Sequence, residues 1–191
     1  MRAEILLLAI SWTVVPGAAH SQTASPDALY RQGVEAYNAG NLDEAIRLLR
    51  RAAVLQPSRA DYRYSLGLAY LRAERPEEAV SELEAARSMM GMRRETRSKE
   101  PELLVQLATA YLRLDDLDAA RKRIDIVLER EPENAEAYFV RGVVAERAGD
   151  RELAVEHFQK AVSLEPDHAQ ANAALARWLE QAGREAEALA R

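Results

Sequence analysis

The 191-residue chain contains no cysteine, only eight glycines, and no long hydrophobic run beyond its N-terminal segment. The lack of cysteine excludes disulfides, thiolate metal sites, a cysteine nucleophile and a lipid-modified N-terminal cysteine. The net charge of −5 lacks the basic excess that a nucleic-acid-binding chain would carry. Few glycines, abundant alanine, leucine, glutamate and arginine, and few alternating β-branched windows together predict a helical protein.

The N-terminal segment 1–21 has the pattern of a cleavable signal peptide. Arg2 precedes a short apolar run, Ile5–Val15, and a small-residue zone follows. We expect cleavage after Ser21, with Ala19 as the alternative, and a short linker over residues 22–25. The run is shorter than the roughly 20 residues that span a bilayer. The sequence therefore predicts a periplasmic or secreted bacterial protein without a transmembrane segment in the mature chain. Because Glu4 weakens the charged region, an uncleaved inner-membrane anchor is the alternative.

An alanine recurs along the chain at a nearly constant interval. Three of its four steps have a length of roughly 34 residues, which is a known repeat period, and one step is longer. Small residues and prolines recur at the same interval, and we call this set of equivalent positions the repeat grid. A period of this length predicts an array of supersecondary units that stack on one another. The recurring alanines are Ala45, Ala79, Ala120, Ala154 and Ala188.

Each unit has the pattern of two helices joined by a turn. In the first unit, Leu29 and Gly33 lie on one helical face, Gly40 ends that helix, and Pro57 ends the second. The last unit is partial, and Gly183 predicts a turn that leaves only a short helical stub. The units span about 26–59, 60–93, 101–134, 135–168 and, for the partial unit, 169–191.

We call the set of residues at one equivalent position of all units a column. The columns of this chain resemble those of the tetratricopeptide repeat, which has a period of about 34 residues, large and small residues paired in the first helix, and a terminal proline. The resemblance implies an all-α, right-handed α-solenoid of antiparallel helix-turn-helix hairpins. It comprises about four full repeats and a C-terminal capping helix over residues 26–191. Such solenoids present extended concave surfaces to partners.

The resemblance also implies which residues line the concave groove, because the first helix of each unit does so in the family. The central columns are aromatic or apolar, one rim is acidic, and the other carries arginines. This composition favours an extended or helical peptide with apolar side chains. The groove candidates are Tyr30, Val34, Tyr37, Tyr64, Leu68, Arg72, Thr109, Arg113, Phe139, Val143 and Arg147.

A second interpretation of the same residues is structural. Tyr64 and Phe139 would pad contacts between units, and the arginine row would pair with Glu102 and Glu136 of the acidic row. The lysine and asparagine positions by which some family members grip a C-terminal carboxylate hold other residue types here, so that clamp is absent. The positions in question are Tyr30, Val34, Ser65, Glu102 and Gln106.

The one longer step of the grid, from Ala79 to Ala120, locates an insertion over about residues 87–100. The stretch from Arg87 to Lys99 carries five basic residues and one acidic residue. Its methionines form an adaptable apolar patch, and the segment is a candidate for contact with an acidic partner or an anionic membrane. The alternative is a longer second helix with a solvated basic face. The insertion candidates are Met89, Met90, Met92, Arg93, Arg94 and Arg97.

The sequence shows no catalytic, cofactor-binding or metal-binding constellation. His157 and His168 are too far apart for metal ligands on one helical turn, and we expect His157 to lie on a solvated face with Glu152 and Glu156. The chain is thus expected to be a scaffold or adaptor rather than an enzyme, assembling a periplasmic or envelope complex by binding a protein or peptide. The alternative is a self-associating module that stacks through its repeats into a homo-oligomer.

Overall fold

The structure is a computed structural model that describes the backbone of residues 24–91 and 99–189, and side chains as far as residue 183. The predicted signal peptide and the start of the linker lie outside the described residues. The insertion candidates Met92, Arg93, Arg94 and Arg97 also lie outside them.

The described residues form nine α-helices, and most of each unit is helical as predicted. None of these helices combines the length and the apolar character that crossing a membrane would need. The helices are α1 (Pro26–Asn38), α2 (Leu42–Leu55), α3 (Ala60–Arg72), α4 (Pro76–Gly91), α5 (Glu100–Arg113), α6 (Leu117–Arg130), α7 (Ala135–Arg147), α8 (Arg151–Leu164) and α9 (Ala169–Leu189).

Tight turns fold the helices into hairpins. Gly40 and Gly149 adopt positive φ angles of 79° and 85°, which glycine adopts without a Cβ clash. Most of the following helices begin with a capping residue whose side-chain oxygen accepts a backbone N–H three residues on. These capping residues include Asn41, Asp116, Asn134 and Asp150.

Close contact between the two helices of each hairpin explains the recurring small residues. A Cβ added at Gly33 would lie 2.7 Å from Leu49 Cγ, and one at Gly142 would lie 2.5 Å from Phe158 Cε1. Both distances are shorter than a carbon–carbon contact allows. The small residue on the first helix therefore lets the large residue of the second helix reach its backbone.

The hairpins stack so that one core runs through most of the described chain. It includes residues from Ala45 in α2 to Val144 in α7, and smaller clusters cover its two ends. The predicted all-α solenoid is confirmed by this arrangement. At the C-terminal end, Trp178 is half-buried against the cluster that contains Phe158.

The predicted turn at Gly183 is wrong. The backbone continues as one 21-residue helix, α9, through this glycine. Glycine lowers helix stability by only about 1 kcal/mol relative to alanine, and its neighbours are strong helix formers. The following position holds Arg184, which lacks the capping oxygen of Asn41, Asp116 and Asp150 at the equivalent positions. Arg75 also stands at this position, but Pro76 follows it and begins α4, whereas Glu185 follows Arg184.

Candidate protein-binding surface

The odd-numbered helices α1, α3, α5 and α7 form the inner side of the stack. Besides packing on its hairpin partner, α1 contacts α3, α3 contacts α5, and α5 contacts α7. We call the surface that these four helices present, together with its predicted residues, the concave surface. All eleven groove candidates lie on these helices and are either half-buried or exposed.

The centre of the concave surface is apolar. Val34, Leu68 and Val143 occupy the same repeat position in three units, and each is half-buried. Thr109 takes this position in α5, where its hydroxyl donates to the carbonyl of Val105 at 3.0 Å and so leaves its methyl group available. These four side chains form a row across the stack that a partner can cover with apolar groups.

The aromatic candidates have roles in packing between units. Tyr30 stacks on the buried Tyr62 with ring centroids 4.7 Å apart, and its hydroxyl lies 3.2 Å from Ser65 Oγ. The ring of Phe139 lies 5.8 Å from Phe158 and 5.2 Å from His168. Both rings belong to the same unit as Phe139, but Phe139 also packs against the main core and against the C-terminal cluster, which includes Ala174 of α9. Padding between units, the second interpretation of the sequence, therefore describes Phe139 through these clusters.

The carboxylates of the acidic rim are bound by residues of their own or a neighbouring unit. Tyr62 donates to Asp27 at 2.5 Å, and this hydrogen bond lowers the pKa of Asp27. Burial and the same bond raise the pKa of Tyr62 to about 12. Tyr64 donates to Glu102 at 2.8 Å, and burial and that bond raise the pKa of Tyr64 above its ordinary value.

Two residues outside the predicted groove candidates, Arg59 and His168, complete this rim. Arg59 Nε and Nη2 bond both carboxylate oxygens of Asp61, and its Nη1 lies 3.2 Å from Asp27. His168 Nε2 lies 3.0 Å from Glu136. Arg59 and His168 each directly precede the first residue of the next unit, so the repeat grid was the signal that could have identified them.

The arginine rim has a different arrangement from the one predicted. Arg72 donates to the carbonyl of Tyr37 at 2.9 Å, and Arg147 donates to the carbonyl of Leu112 at 2.8 Å. Both carbonyls lie in the last turn of the preceding odd-numbered helix and also accept a backbone N–H, from Gly40 at 3.0 Å and from Asp115 at 3.1 Å, so each arginine adds a second hydrogen bond. The expected pairing of this row with Glu102 and Glu136 is wrong, because those carboxylates bond Tyr64 and His168 instead.

Arg113 stands at the equivalent position of α5 and makes no such bond. It is exposed, and among the described residues it has neither an ion pair nor a hydrogen-bond partner. The carbonyl that would correspond to those of Tyr37 and Leu112 belongs to Leu71. Like the other two it accepts a backbone N–H, here from Glu74 at 3.1 Å, but no arginine side chain of the described residues bonds it. The insertion lies between Leu71 and Arg113, so it interrupts the repeat spacing that the other two pairs share.

The helix that precedes the insertion, α4, is longer than its counterparts. Helix α4 has 16 residues, whereas α2, α6 and α8 have 14 each. Met90 is only 4% exposed and belongs to the core, so it does not contribute to an adaptable surface patch. Met89 is half-buried beside it.

A network of charged side chains joins the units on either side of the insertion. Glu84 of α4 accepts hydrogen bonds from Arg123 at 2.7 Å and from Tyr111 at 3.2 Å. Glu100, at the start of α5, is largely buried and accepts from Arg130 at 2.6 Å. These bonds tie α4, α5 and α6 together away from the concave surface.

The expectation for His157 is wrong. Its side chain is 8% exposed, and its Nε2 is buried without a hydrogen-bond partner. Burial, followed by the charge of the nearby Arg141, lowers the pKa of His157 below its ordinary value. Among the residues that the structure describes, no group of three or more histidine, cysteine or acidic side chains has the arrangement of a metal site.

A family model described as tetratricopeptide repeat matches residues 30–89, 105–164 and 144–190. The chain is a tetratricopeptide-repeat (TPR) protein. The matched ranges include the whole of α2, α3, α6, α7 and α8 and most of the concave surface, so the repeat assignment made from the alanine grid is confirmed. Membership makes this TPR protein a repeat scaffold of the kind that binds other proteins.

Solved structures share the fold of this TPR protein at low identity. MamA from Desulfovibrio magneticus RS-1 is 22% identical with a TM-score of 0.66, over 77% of this chain and 79% of that chain. TTC0263, a thermophilic TPR protein in Thermus thermophilus, is 24% identical with a TM-score of 0.67, over 87% of each chain.

A chain of the APC/C hetero-tetramer Cut9-Hcn1 is 18% identical with a TM-score of 0.73, over 80% of this chain and 30% of that chain. No curated protein matches the sequence. Identities this low indicate a shared fold and do not transfer a partner.

Proposed function

We propose that this TPR protein is an exported adaptor that holds a peptide segment of a partner protein against its concave surface. The observation that carries the proposal is the row of Val34, Leu68, Thr109 and Val143, which lies half-exposed across four units. Tyr30, Phe139 and Arg147 on the same side make contacts within the solenoid, so this row is where a partner gains apolar contact.

The proposed setting is the assembly of a periplasmic or envelope complex. It is supported by the N-terminal pattern of a signal peptide, with Arg2 before a short apolar run and a small-residue zone after it. A scaffold role fits this setting because hairpin arrays recognise partners through an extended surface and require no cofactor.

The proposal is tested by co-purification from the native host with two matched substitutions. Val143→Lys places a charge in the apolar row, whereas Val54→Lys makes the same change on α2 at a residue that is 70% exposed. We expect Val143→Lys to reduce partner recovery at least tenfold and Val54→Lys to leave it unchanged. Circular dichroism confirms that both variants are folded.

Equal recovery by wild type and the folded Val143→Lys variant would show that the concave surface is not the binding site. Recovery of nothing except further copies of this chain would replace the adaptor with a self-associating module.

A further inference from the structure

The two rims of the concave surface differ in the groups that their charged side chains bind. Glu102 and Glu136 on the acidic rim bond Tyr64 and His168. On the opposite rim, Arg72 and Arg147 are held by backbone carbonyls of the preceding helix. Each of these two guanidinium groups therefore already donates a hydrogen bond within the solenoid.

Arg113 is the exception in its row. It is exposed, and no described residue accepts a hydrogen bond from it or pairs with its charge. Glu146 of the next unit is half-buried on the same side but forms no ion pair with it. All five N–H donors of the Arg113 guanidinium are thus available, in the planar arrangement that matches a carboxylate.

The surroundings of Arg113 are apolar on the concave side. Thr109 precedes it by one helical turn and so lies on the same face of α5. Leu68 of α3 and Val143 of α7 hold the position of Thr109 in the flanking units, and both helices contact α5. A ligand carboxylate at Arg113 would therefore be flanked by side chains that favour apolar groups.

On this basis we propose that the bound segment carries an aspartate or glutamate side chain, flanked by apolar residues, and that this carboxylate pairs with Arg113. The inference rests on the proposed function and adds the chemistry of the partner to it. An internal acidic residue is favoured over a C-terminal carboxylate. The apolar row continues past Arg113 in both directions, to Leu68 and to Val143, so the partner chain extends on both sides.

The test uses a displayed library of random twelve-residue peptides, selected against residues 22–191 of wild type and of three variants. Arg113→Gln removes the proposed contact. Arg121→Gln is the matched control, because this arginine is 58% exposed on α6 and pairs locally with Asp118. Val143→Lys blocks the apolar row itself.

We expect wild type and Arg121→Gln to enrich peptides with an acidic residue between apolar ones. Arg113→Gln should enrich apolar peptides without the acidic preference. For one enriched peptide, replacing its acidic residue by the amide should weaken binding to wild type about fivefold, the upper range for an exposed ion pair, and leave binding to Arg113→Gln unchanged.

The possible outcomes separate this inference from the proposed function. Enriched peptides that bind wild type, lose binding to Val143→Lys and show no acidic preference would overturn the role of Arg113 and leave the concave site intact. The same acidic preference in Arg113→Gln would also overturn it. No enrichment on wild type above the level of Val143→Lys would overturn both proposals. Enrichment of acidic residues only at the peptide C-terminus would contradict the proposal that the bound acidic residue is internal.

Discussion

Three arginines stand at the ends of α3, α5 and α7, and their equal repeat positions do not give them equal partners. Arg72 and Arg147 bond carbonyls of the preceding unit, while Arg113 does not. Sequence pattern places all three on one rim, because the repeat grid fixes their column. The sequence pattern does not give their partners, because each arginine side chain extends to the preceding unit and its partner depends on how the two units stack.

His157 shows the same limit, and it leads to a prediction about pH. The groups that act on it include Arg141, which lowers its pKa together with burial, and Glu156, Asp125 and Asp150, which act in the opposite direction. Because the pKa in the folded state is lower than in the unfolded state, the unfolded chain binds more protons as pH falls below about 6.5. The contribution of His157 to stability is therefore present above that pH and declines below it.

We expect the free energy of unfolding to fall between pH 7.5 and pH 5 by more in wild type than in His157→Gln. Urea unfolding followed by circular dichroism at several pH values measures this difference. Parallel pH curves for the two proteins would contradict the assignment of a buried neutral imidazole.

At the scale of helices, the positions of small residues decide which helices can pack closely. The repeat grid puts Gly142 in the small-residue column of a first helix and Gly183 at the position of the turn glycine Gly149. Gly142 does face the ring of Phe158 in the hairpin of α7 and α8, whereas Gly183 in α9 has open space around it. The structure thus confirms the packing role predicted for Gly142. It shows that Gly183 lies within a continuous helix, where a turn was predicted.

The contrast gives opposite effects for the same substitution. Gly142→Ala should destabilise the fold by about 1–3 kcal/mol, because the new methyl group overlaps Phe158. Gly183→Ala should be neutral or stabilise by up to about 1 kcal/mol, because alanine is the better helix former. Urea denaturation of both variants measures the difference. Destabilisation by Gly183→Ala would indicate the turn that the sequence predicted in place of the continuous helix.

Most of the helix boundaries were predictable because the sequence carries local signals for them. Gly40 follows the end of α1 and Pro57 follows the end of α2 as expected, and neither signal depends on distant contacts. The end of α9 was not predictable from the same kind of signal. A glycine favours a turn when the next residues can start a new helix. Arg184 supplies no capping oxygen and is not followed by a proline, as Arg75 is at the start of α4.

At the scale of the whole molecule, the solenoid converts a repeated column into a continuous surface. Val34, Leu68, Thr109 and Val143 are far apart in sequence, yet successive contacts among the odd-numbered helices place them along one row. The column could be identified from the repeat alone. Its occupant could not, because the partner is a separate molecule whose contacts leave no pattern in this chain beyond exposed apolar and charged groups.

Site-specific photocrosslinking in the native host tests the central claim, that partners bind the concave surface. A photoreactive amino acid is placed in turn at Leu68 or Thr109 on the concave side, and at Val54 or Lys122 on even-numbered helices as controls. We predict that both concave positions crosslink the same partner protein and that neither control position does. Crosslinks to that partner from Val54 or Lys122, with none from Leu68 or Thr109, would contradict the account.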